Sequence, residues 1–297
     1  MSITVKEFFE PQTNTFAYVV SDDASAKAVI IDPVWLYSHA CGNTRQDFAE
    51  QLLEYSRAKG LVIEWIIDTH AHADHLTAAA WLKQQTGAKI GIGKGVTEVQ
   101  KTFKTLYDLE PDFAVDGSQF DHLFSDKETF MLGETEVTAL HTPGHTNDSM
   151  TYVFADNAFI GDTLFMPDYG SARCDFPGGS AGTLFDSIQR IHALPPETKL
   201  YMCHDYPPQG RGPEFVTTVA ISRKTNKHAH AGISREAFIT MREKRDAQLG
   251  MPKLIWPSLQ VNIRAGEAPA AAANGATYLK TPFNLDIAEL LKSAKDK

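Results

Sequence analysis

The segment THAHADH, residues 69–75, places three histidines and an aspartate within six positions, directly after an apolar stretch. Imidazole nitrogens and carboxylate oxygens are ligands of transition metals such as zinc and iron. In a helix His70 and His72 would point about 200° apart, whereas in an extended or loop segment they face the same side. The spacing therefore predicts a metal-binding loop at a strand end, with Asp74 and His75 at the start of the next helix.

Three more candidate ligands follow later apolar segments that read as strands. His145 ends the segment HTPGH, Asp162 follows Gly161, and His204 follows Cys203. Strand ends of one sheet meet on one rim, so these side chains are expected to converge on the first cluster. The pair Pro143-Gly144 predicts the tight turn that brings His145 inward.

The other histidines are interpreted as solvated surface residues. Lys227-His228-Ala229-His230 repeats the His-x-His spacing, but it follows no apolar strand and lies in a polar, basic stretch. The same interpretation applies to His39, His122, His141 and His192.

Composition limits the classes of function. The 297 residues carry a formal charge of −9 with 43% apolar and 22% charged residues, which is typical of a soluble globular protein and unfavourable for binding nucleic acid or an anionic membrane. The N-terminus lacks the pattern of a secretory signal, no run of 18 apolar residues occurs, and the three cysteines form no CxxC pair. We expect a soluble cytoplasmic protein without nucleic-acid or membrane partners.

Hydrophobic periodicity predicts alternating strands and helices. The predicted strands are residues 16–20, 28–31, 61–67, 89–92, 136–140, 150–154, 158–160 and 199–202, and the predicted helices are 44–60, 75–86, 183–194 and 235–245. Thr44 is the expected N-cap of the first helix. We expect residues 1–206 to form the catalytic domain and 207–297 a helical extension packed on it, with an Ala-rich connector at 265–276.

The segments THAHADH, HTPGHT, GDTLF and CHDY, in this order, resemble the motifs of the metallo-β-lactamase superfamily. The resemblance implies an α/β fold, the αββα sandwich, with a metal site on one rim and here a C-terminal helical extension. Within the superfamily, the persulfide dioxygenase branch and the related glyoxalase II-type thioester hydrolases compete.

Four segments favour the dioxygenase branch. They are SARCDFPGGSAGTLFDSI, HDY, SRKTNKH with ISREAFITMR, and MPKLIWPSLQVNIRAG, which extend the resemblance to residue 266. Two features depart from it: Cys174 stands where mitochondrial-type members have Thr, and the tail 267–297 extends beyond their end. That tail is a candidate for self-association into a homodimer or higher homo-oligomer.

The dioxygenase resemblance implies one Fe(2+) per chain, bound by His70, His145 and Asp162. Such a set leaves about three coordination positions open, as in oxygen-activating non-haem iron sites. The implied reaction oxidises glutathione persulfide, or a similar low-molecular-weight persulfide, with O₂ and water to glutathione and sulfite. By the same resemblance the substrate-binding candidates are Arg173, Tyr206 and Arg223.

The motif spelling leaves the number of metals open. A hydrolase with two zinc ions would also use His72, Asp74, His75 and His204, with Asp162 bridging the two ions. In the dioxygenase these four residues would line the cavity or orient the ligands. A closed, purely structural metal site is disfavoured, because no Cys₄ or Cys₂His₂ spacing occurs.

Cys174 and Cys203 adjoin Arg173 and His204 and so are expected near the site. Either could relay sulfur. The favoured interpretation is that both are small buried hydrophobic residues.

Overall fold

Two six-stranded sheets pack face to face in the computed structural model, which describes residues 2–284 and 286–287. The first sheet has the order β1-β2-β3-β6-β8-β9, with β1 at Ile3–Glu10, β2 at Thr15–Asp22, β3 at Lys27–Ile31, β6 at Val62–Ile67, β8 at Lys89–Gly93 and β9 at His122–Phe124. Its pairs β3/β6, β6/β8 and β8/β9 are parallel. Four neighbouring parallel strands therefore end on the same edge.

The second sheet has the order β10 to β15, and its pairs are antiparallel except for the parallel pair β13/β14, which is joined by a crossover over residues 160–198. Its strands are β10 at Glu128–Leu132, β11 at Thr135–His141, β12 at Met150–Phe154, β13 at Asn157–Phe159, β14 at Lys199–Tyr201 and β15 at Val216–Thr218. A small third sheet pairs β4 (Val34–Ser38) with β5 (Asn43–Arg45) and β7 (Leu76–Thr77). Because β15 pairs with β14, the chain after residue 206 first returns to the sheet.

The two sheets share one apolar core. Tyr18, Ile31 and Phe124 of the first sheet pack with Tyr152 and Phe159 of the second, and all five side chains are almost completely buried. Alternate residues of the same strands point to the outer faces, as the two-residue period of a strand requires.

Helices cover both outer faces. The described helices are α1 at Asp47–Ala58, α2 at Ala79–Thr86, α3 at Val96–Leu106, α4 at Ala181–His192, α5 at Val219–Thr225, α6 at Arg235–Asp246 and α7 at Ile255–Asn262. The first sheet packs against α1 and α2, and the second against α4, α5 and α6. This is the αββα arrangement that the motifs imply, with helices α5 to α7 as the C-terminal extension.

All eight predicted strands and the four predicted helices have counterparts, but two helix starts differ. The helix expected from residue 75 begins at Ala79, because Leu76 and Thr77 pair with β4 and the Thr77 N–H bonds to the Asn262 side chain. Thr44 is not a helix cap, since it lies in β5 and the cap position of α1 is Gln46. Both differences come from contacts made by short strands that the periodicity did not reveal.

The tail expected beyond Gly266 returns to the body of the protein. The Gln260 side chain donates to Lys280 O and accepts from Lys280 N, both at 2.8 Å, and Ile287 packs near α3 and α7. Residue 285 and residues 288–297, on which part of the self-association prediction falls, lie outside the described residues. Within the described residues, no helix combines the length and apolar character required to cross a bilayer.

Candidate metal centre

Four strand ends deliver the predicted ligands to one rim of the sandwich. The motif loop of residues 69–75 follows β6, His145 follows β11, Asp162 follows β13 and His204 follows β14. The turn before His145 depends on Gly144, whose φ is +132° and where a Cβ would lie 2.3 Å from the Leu184 backbone nitrogen. The local turns therefore act as the sequence predicts.

The structure brings His70, His145 and Asp162 together, with one donor atom of each within 4.8 Å of the others. His145 Nε2 lies 3.7 Å from Asp162 Oδ2, and the rings of His70 and His145 are 5.1 Å apart. Such spacings leave room for a metal ion among the three side chains. This group matches the dioxygenase ligand set.

A second group adjoins the first and consists of His72, Asp74, His75 and His204. His204 Nε2 lies 3.3 Å from Asp74 Oδ2 and 3.6 Å from Asp162 Oδ1. Asp162 therefore lies between the two groups, as a bridging carboxylate would. All seven ligand candidates thus converge, and the geometry accommodates one ion or two.

Each imidazole has one nitrogen bonded to the protein. His70 Nδ1 lies 3.0 Å from Thr69 Oγ1, His145 Nδ1 lies 2.7 Å from Arg173 O, and His75 Nδ1 lies 3.1 Å from Leu76 O. These bonds orient the rings and leave the opposite nitrogen for a metal.

The opposite nitrogens of His70, His72, His75 and His204 have no hydrogen-bond partner in the described protein. The buried atoms without a hydrogen bond include His70 Nε2, His72 Nδ1, Asp74 Oδ2, His75 Nε2, Asp162 Oδ1 and His204 Nε2. An unpaired buried polar group costs about 1–3 kcal/mol, so six in one place are difficult to explain without a bound cation. The donor set fits a metal centre.

The electrostatics of the pocket keep two of these imidazoles neutral. Burial lowers the pKa of His70 well below its usual range, and burial with the charge of His72 lowers the pKa of His75 to about 3. Burial raises the pKa of Asp162, against the opposite effect of His204. A cation would compensate the buried carboxylate and use the free lone pairs of both rings.

Three buried aspartates support the motif loop and were not identified from the sequence. Asp32 accepts the Thr69 N–H at 2.6 Å, Asp148 accepts the Ala71 N–H at 2.7 Å, and Asp68 accepts the Thr77 hydroxyl at 3.1 Å. Asp32 and Asp68 directly follow β3 and β6. The strand-end rule applied to the histidines would have found both.

Asp32 also lies 3.0 Å from His72 Nε2. Although burial disfavours the charged ring, this carboxylate raises the pKa of His72 to about 9. The bond directs Nδ1 of His72 toward the second ligand group.

A cavity of about 810 Å³ opens over the centre. Its walls are mainly apolar and aromatic, and the side chains involved include Trp35, Tyr37, Phe165, Tyr169, Phe176, Tyr206, Leu249 and Leu254. His145, Asp162, Asp74 and His75 lie on the same surface. A small organic molecule can therefore enter and reach the donor atoms.

Two of the three predicted substrate-binding residues lie at the cavity, and the third does not. Tyr206 and Arg173 line the cavity. The Arg173 guanidinium, however, bonds to both Asp175 oxygens at 2.6 and 2.7 Å and to Gly250 O at 2.7 Å. Arg223 is exposed on α5 and is not brought to the cavity, because that helix packs on the outer face of the second sheet.

Two other cations line the cavity and were missed. Arg245 and Lys253 are exposed, and neither has an ion pair with a described residue. The fourth cation of the wall, Arg242, is paired with Asp246. No motif marks Arg245, and the segment MPKLIWPSLQVNIRAG contains Lys253 without assigning it to the cavity. The packing of α6 and the path of the chain after it bring the two side chains to the opening.

Two histidines interpreted as surface residues are buried, so that interpretation was wrong for them. His228 accepts the Ser171 N–H at 3.0 Å, and His192 Nε2 lies 3.0 Å from the Ser222 hydroxyl. His39 is exposed, and His230, His122 and His141 are partly exposed. A polar, basic stretch surrounds His228, whereas His192 lies between Ile191 and Ala193, and the side-chain partners of both come from other segments.

Cys174 and Cys203 are both buried, and both are free thiols. Burial and the neighbouring Asp246 raise the pKa of Cys174 to about 12, and burial raises that of Cys203. Protonated thiols are poor nucleophiles. These properties favour the interpretation of both as small hydrophobic residues over sulfur relay.

Comparison with known proteins identifies several relatives. A "Probable metallo-hydrolase" of Burkholderia pseudomallei is 47% identical over 95% of this chain and 99% of its own, and "Glyoxylase B2" of Dictyostelium discoideum is 48% identical over 94% and 97%. The human "Persulfide dioxygenase ETHE1, mitochondrial" is 27% identical over 91% of both chains. Relatives named for different activities therefore span nearly the whole chain.

A solved structure supports the same assignment. The crystal structure of ETHE1 from Myxococcus xanthus matches with a TM-score of 0.71 and 30% identity, covering 89% of this chain and all of that one. The family model of the metallo-beta-lactamase superfamily matches residues 11–204, which contain all seven ligand candidates. The chain belongs to the metallo-beta-lactamase superfamily of metal-dependent enzymes.

Proposed function

We propose that the protein is a persulfide dioxygenase acting at one Fe(2+). In the reaction, glutathione persulfide, O₂ and water give glutathione, sulfite and two protons. The terminal sulfur of the persulfide is oxidised and O₂ is reduced, so no further electron donor is needed.

The observation that carries the proposal is the convergence of donor atoms from His70, His145 and Asp162 beside a cavity for an organic substrate. His70 Nε2 and Asp162 Oδ1 have no hydrogen-bond partner in the described protein. Two imidazoles and one carboxylate are the ligand set of oxygen-activating non-haem iron. These residues would hold Fe(2+), which would supply the O₂-activating redox chemistry for oxidation of the persulfide sulfur.

The similarity to ETHE1 extends beyond the superfamily domain. Similarity to ETHE1 covers about nine tenths of the chain, whereas the superfamily model ends at residue 204. The match therefore includes α6 and the segment that follows it, whose residues Arg242, Arg245, Lys253 and Leu254 line the cavity.

The chain's own residues bind and orient the carrier thiol. Arg245 and Lys253 provide unpaired positive charge at the cavity for the carboxylates of glutathione. The apolar walls exclude water around the peptide backbone of the carrier. Burial raises the pKa of Tyr206, so its phenol stays protonated and available as a hydrogen-bond donor.

The alternative is a glyoxalase II-like thioester hydrolase with two Zn ions. The second ligand group favours it, because the donor atoms of His72, Asp74, His75 and His204 are as free as those of the first group. Two relatives carry hydrolase or glyoxylase names. In that enzyme Asp162 would bridge the ions, and no O₂ would be used.

Metal content and substrate together test the proposal. Iron-loaded protein is expected to contain close to one iron per chain, located by anomalous scattering at the iron edge, and to consume O₂ with glutathione persulfide. Failure to consume O₂ in iron-loaded protein rejects the proposal. Two metals per chain with cleavage of S-lactoylglutathione under nitrogen would establish the hydrolase instead.

A further inference from the structure

The orientation of His145 depends on a single backbone carbonyl. Its Nδ1 donates to Arg173 O at 2.7 Å, while Nε2 lies 3.7 Å from Asp162 Oδ2. A hydrogen bond to the far nitrogen of a metal-binding imidazole fixes both its tautomer and its ring plane. The position of the Arg173 carbonyl therefore determines the direction in which His145 Nε2 points.

Side chains from the C-terminal extension hold the backbone on both sides of this carbonyl. Before it, His228 Nδ1 accepts from Ser171 N at 3.0 Å and Arg242 Nη1 donates to Ser171 O at 3.0 Å. After it, Asp246 Oδ2 accepts from Cys174 N at 2.9 Å. Three backbone groups within four residues are thus fixed by distant side chains.

The fit at this point is close. Gly170 has a φ of +114°, and a Cβ there would lie 2.2 Å from His228 Nδ1. Asn226 Nδ2 additionally donates to Gly170 O at 2.9 Å. The backbone of residues 170–174 is therefore held against the extension without room to shift.

Arg242 and Asp246 form a buried ion pair on α6, and they are only 1% and 3% exposed. Arg242 Nε lies 2.8 Å from Asp246 Oδ1, which leaves Nη1 and Oδ2 for the backbone. A buried ion pair contributes little stability compared with an apolar pair of similar volume. The presence of the pair is instead explained by its hydrogen bonds to two backbone groups, the Ser171 carbonyl and the Cys174 N–H.

We propose that Arg242 and Asp246 are positioning residues for the metal centre, which act through the 171–174 backbone and the Arg173 carbonyl on His145. The inference rests on the proposed metal role of His145. Helix α6, which also carries Arg245 at the cavity, then contributes to the arrangement of the metal ligands.

The main test uses R242K and the double variant R242M/D246L. Lysine keeps the charge beside Asp246, but it lacks the planar fork that reaches Ser171 O as well. The double variant keeps most of the buried volume and leaves no unpaired buried charge. D186N is the matched control, because it breaks the exposed pair that joins Arg235 of α6 to α4.

Two readouts distinguish positioning from general stability. We expect Fe(2+) and Co²⁺ dissociation constants, measured by chelator competition, to rise about 10- to 100-fold in R242K and the double variant, with shifted Co²⁺ d–d bands. D186N should keep the wild-type constant and spectrum. Folding of each metal-free variant is followed by circular dichroism, and R242K decides if the double variant does not fold.

Unchanged metal affinity and spectrum in folded R242K would overturn the inference. H145A separates this failure from failure of the proposed function. If H145A keeps wild-type metal affinity, the proposed ligand set is wrong; if it loses affinity while the α6 variants do not, only the role of α6 is rejected.

Discussion

Asn262, near the end of α7, bonds to the backbone of His72 in the motif loop 190 positions earlier. Its Nδ2 donates to His72 O at 2.7 Å and to His75 O at 2.8 Å, and its Oδ1 accepts from Thr77 N at 2.8 Å. The side chain is 2% exposed. One amide thus satisfies three buried backbone groups around the second ligand group.

We expect N262D to destabilise the protein by about 2–4 kcal/mol, because a carboxylate keeps the acceptor for Thr77 but cannot donate to the two carbonyls. Urea unfolding of metal-free protein measures the change. N274D, at an exposed amide that bonds to Tyr278, is the control and should change stability by less than about 0.5 kcal/mol. Equal stability of N262D and wild type would contradict the assigned bonds.

Substitution of Asp74 distinguishes one metal from two. Asp74 belongs to the second ligand group and Asp162 to the first. For the proposed mononuclear iron centre, D74N should retain about one iron per chain and lose less than about tenfold in kcat/KM, while D162N should lose more than about 100-fold. Metal analysis and O₂ consumption are measured on the same samples. Loss of one of two ions in D74N would favour the hydrolase.

Arg245 and Lys253 at the cavity have no ion pair with a described residue, so their replacement should weaken substrate binding without slowing the chemical step. R245M and K253M should each raise KM for glutathione persulfide about 3- to 10-fold with kcat nearly unchanged, because exposed charge contacts contribute about 1 kcal/mol. R223M is the matched control, since Arg223 is exposed on α5 away from the cavity. A KM effect in R223M that exceeds those at Arg245 and Lys253 would reverse this assignment.

The parts of the site that the sequence predicted are those governed by local rules. His70 follows β6 of the first sheet, and His145, Asp162 and His204 follow strands of the second sheet. Each position at a strand end is a local feature, and the strand ends on one rim meet when the two sheets pack face to face. The resemblance then supplied the face-to-face sandwich, which periodicity alone did not establish.

The parts that the sequence did not predict depend on contacts between distant segments. Lys253 reaches the cavity only through the path of the chain after α6. His192 and His228, which were interpreted as surface residues, are buried against partners 30 and 57 positions away. Likewise α2 begins late because Thr77 is held by Asn262. Such positions have no local signature, since the partner that determines burial is remote in the sequence.

His192 predicts an acid-dependent loss of stability. Burial, together with the charge of Arg223, lowers its pKa in the folded protein from about 6.5 to about 4. The unfolded chain therefore binds a proton below about pH 6.5 that the folded protein accepts only near pH 4, so the stabilising effect of the neutral ring is complete above pH 6.5 and is lost as the pH falls.

In H192Q the amide can keep the bond to Ser222 but does not titrate. The decline in unfolding free energy between pH 6.5 and 4 should therefore be shallower than in wild type by at most about 1.4 kcal/mol per pH unit. Urea unfolding at half-unit pH steps on metal-free protein measures both slopes, with H39N at an exposed histidine as control. In R223M the pKa of His192 in the folded protein should rise toward its usual value, because a nearby positive charge is removed. The decline in unfolding free energy at acid pH should then be shallower than in wild type, as in H192Q. A steeper decline in R223M would show that Arg223 does not act on His192 through its charge.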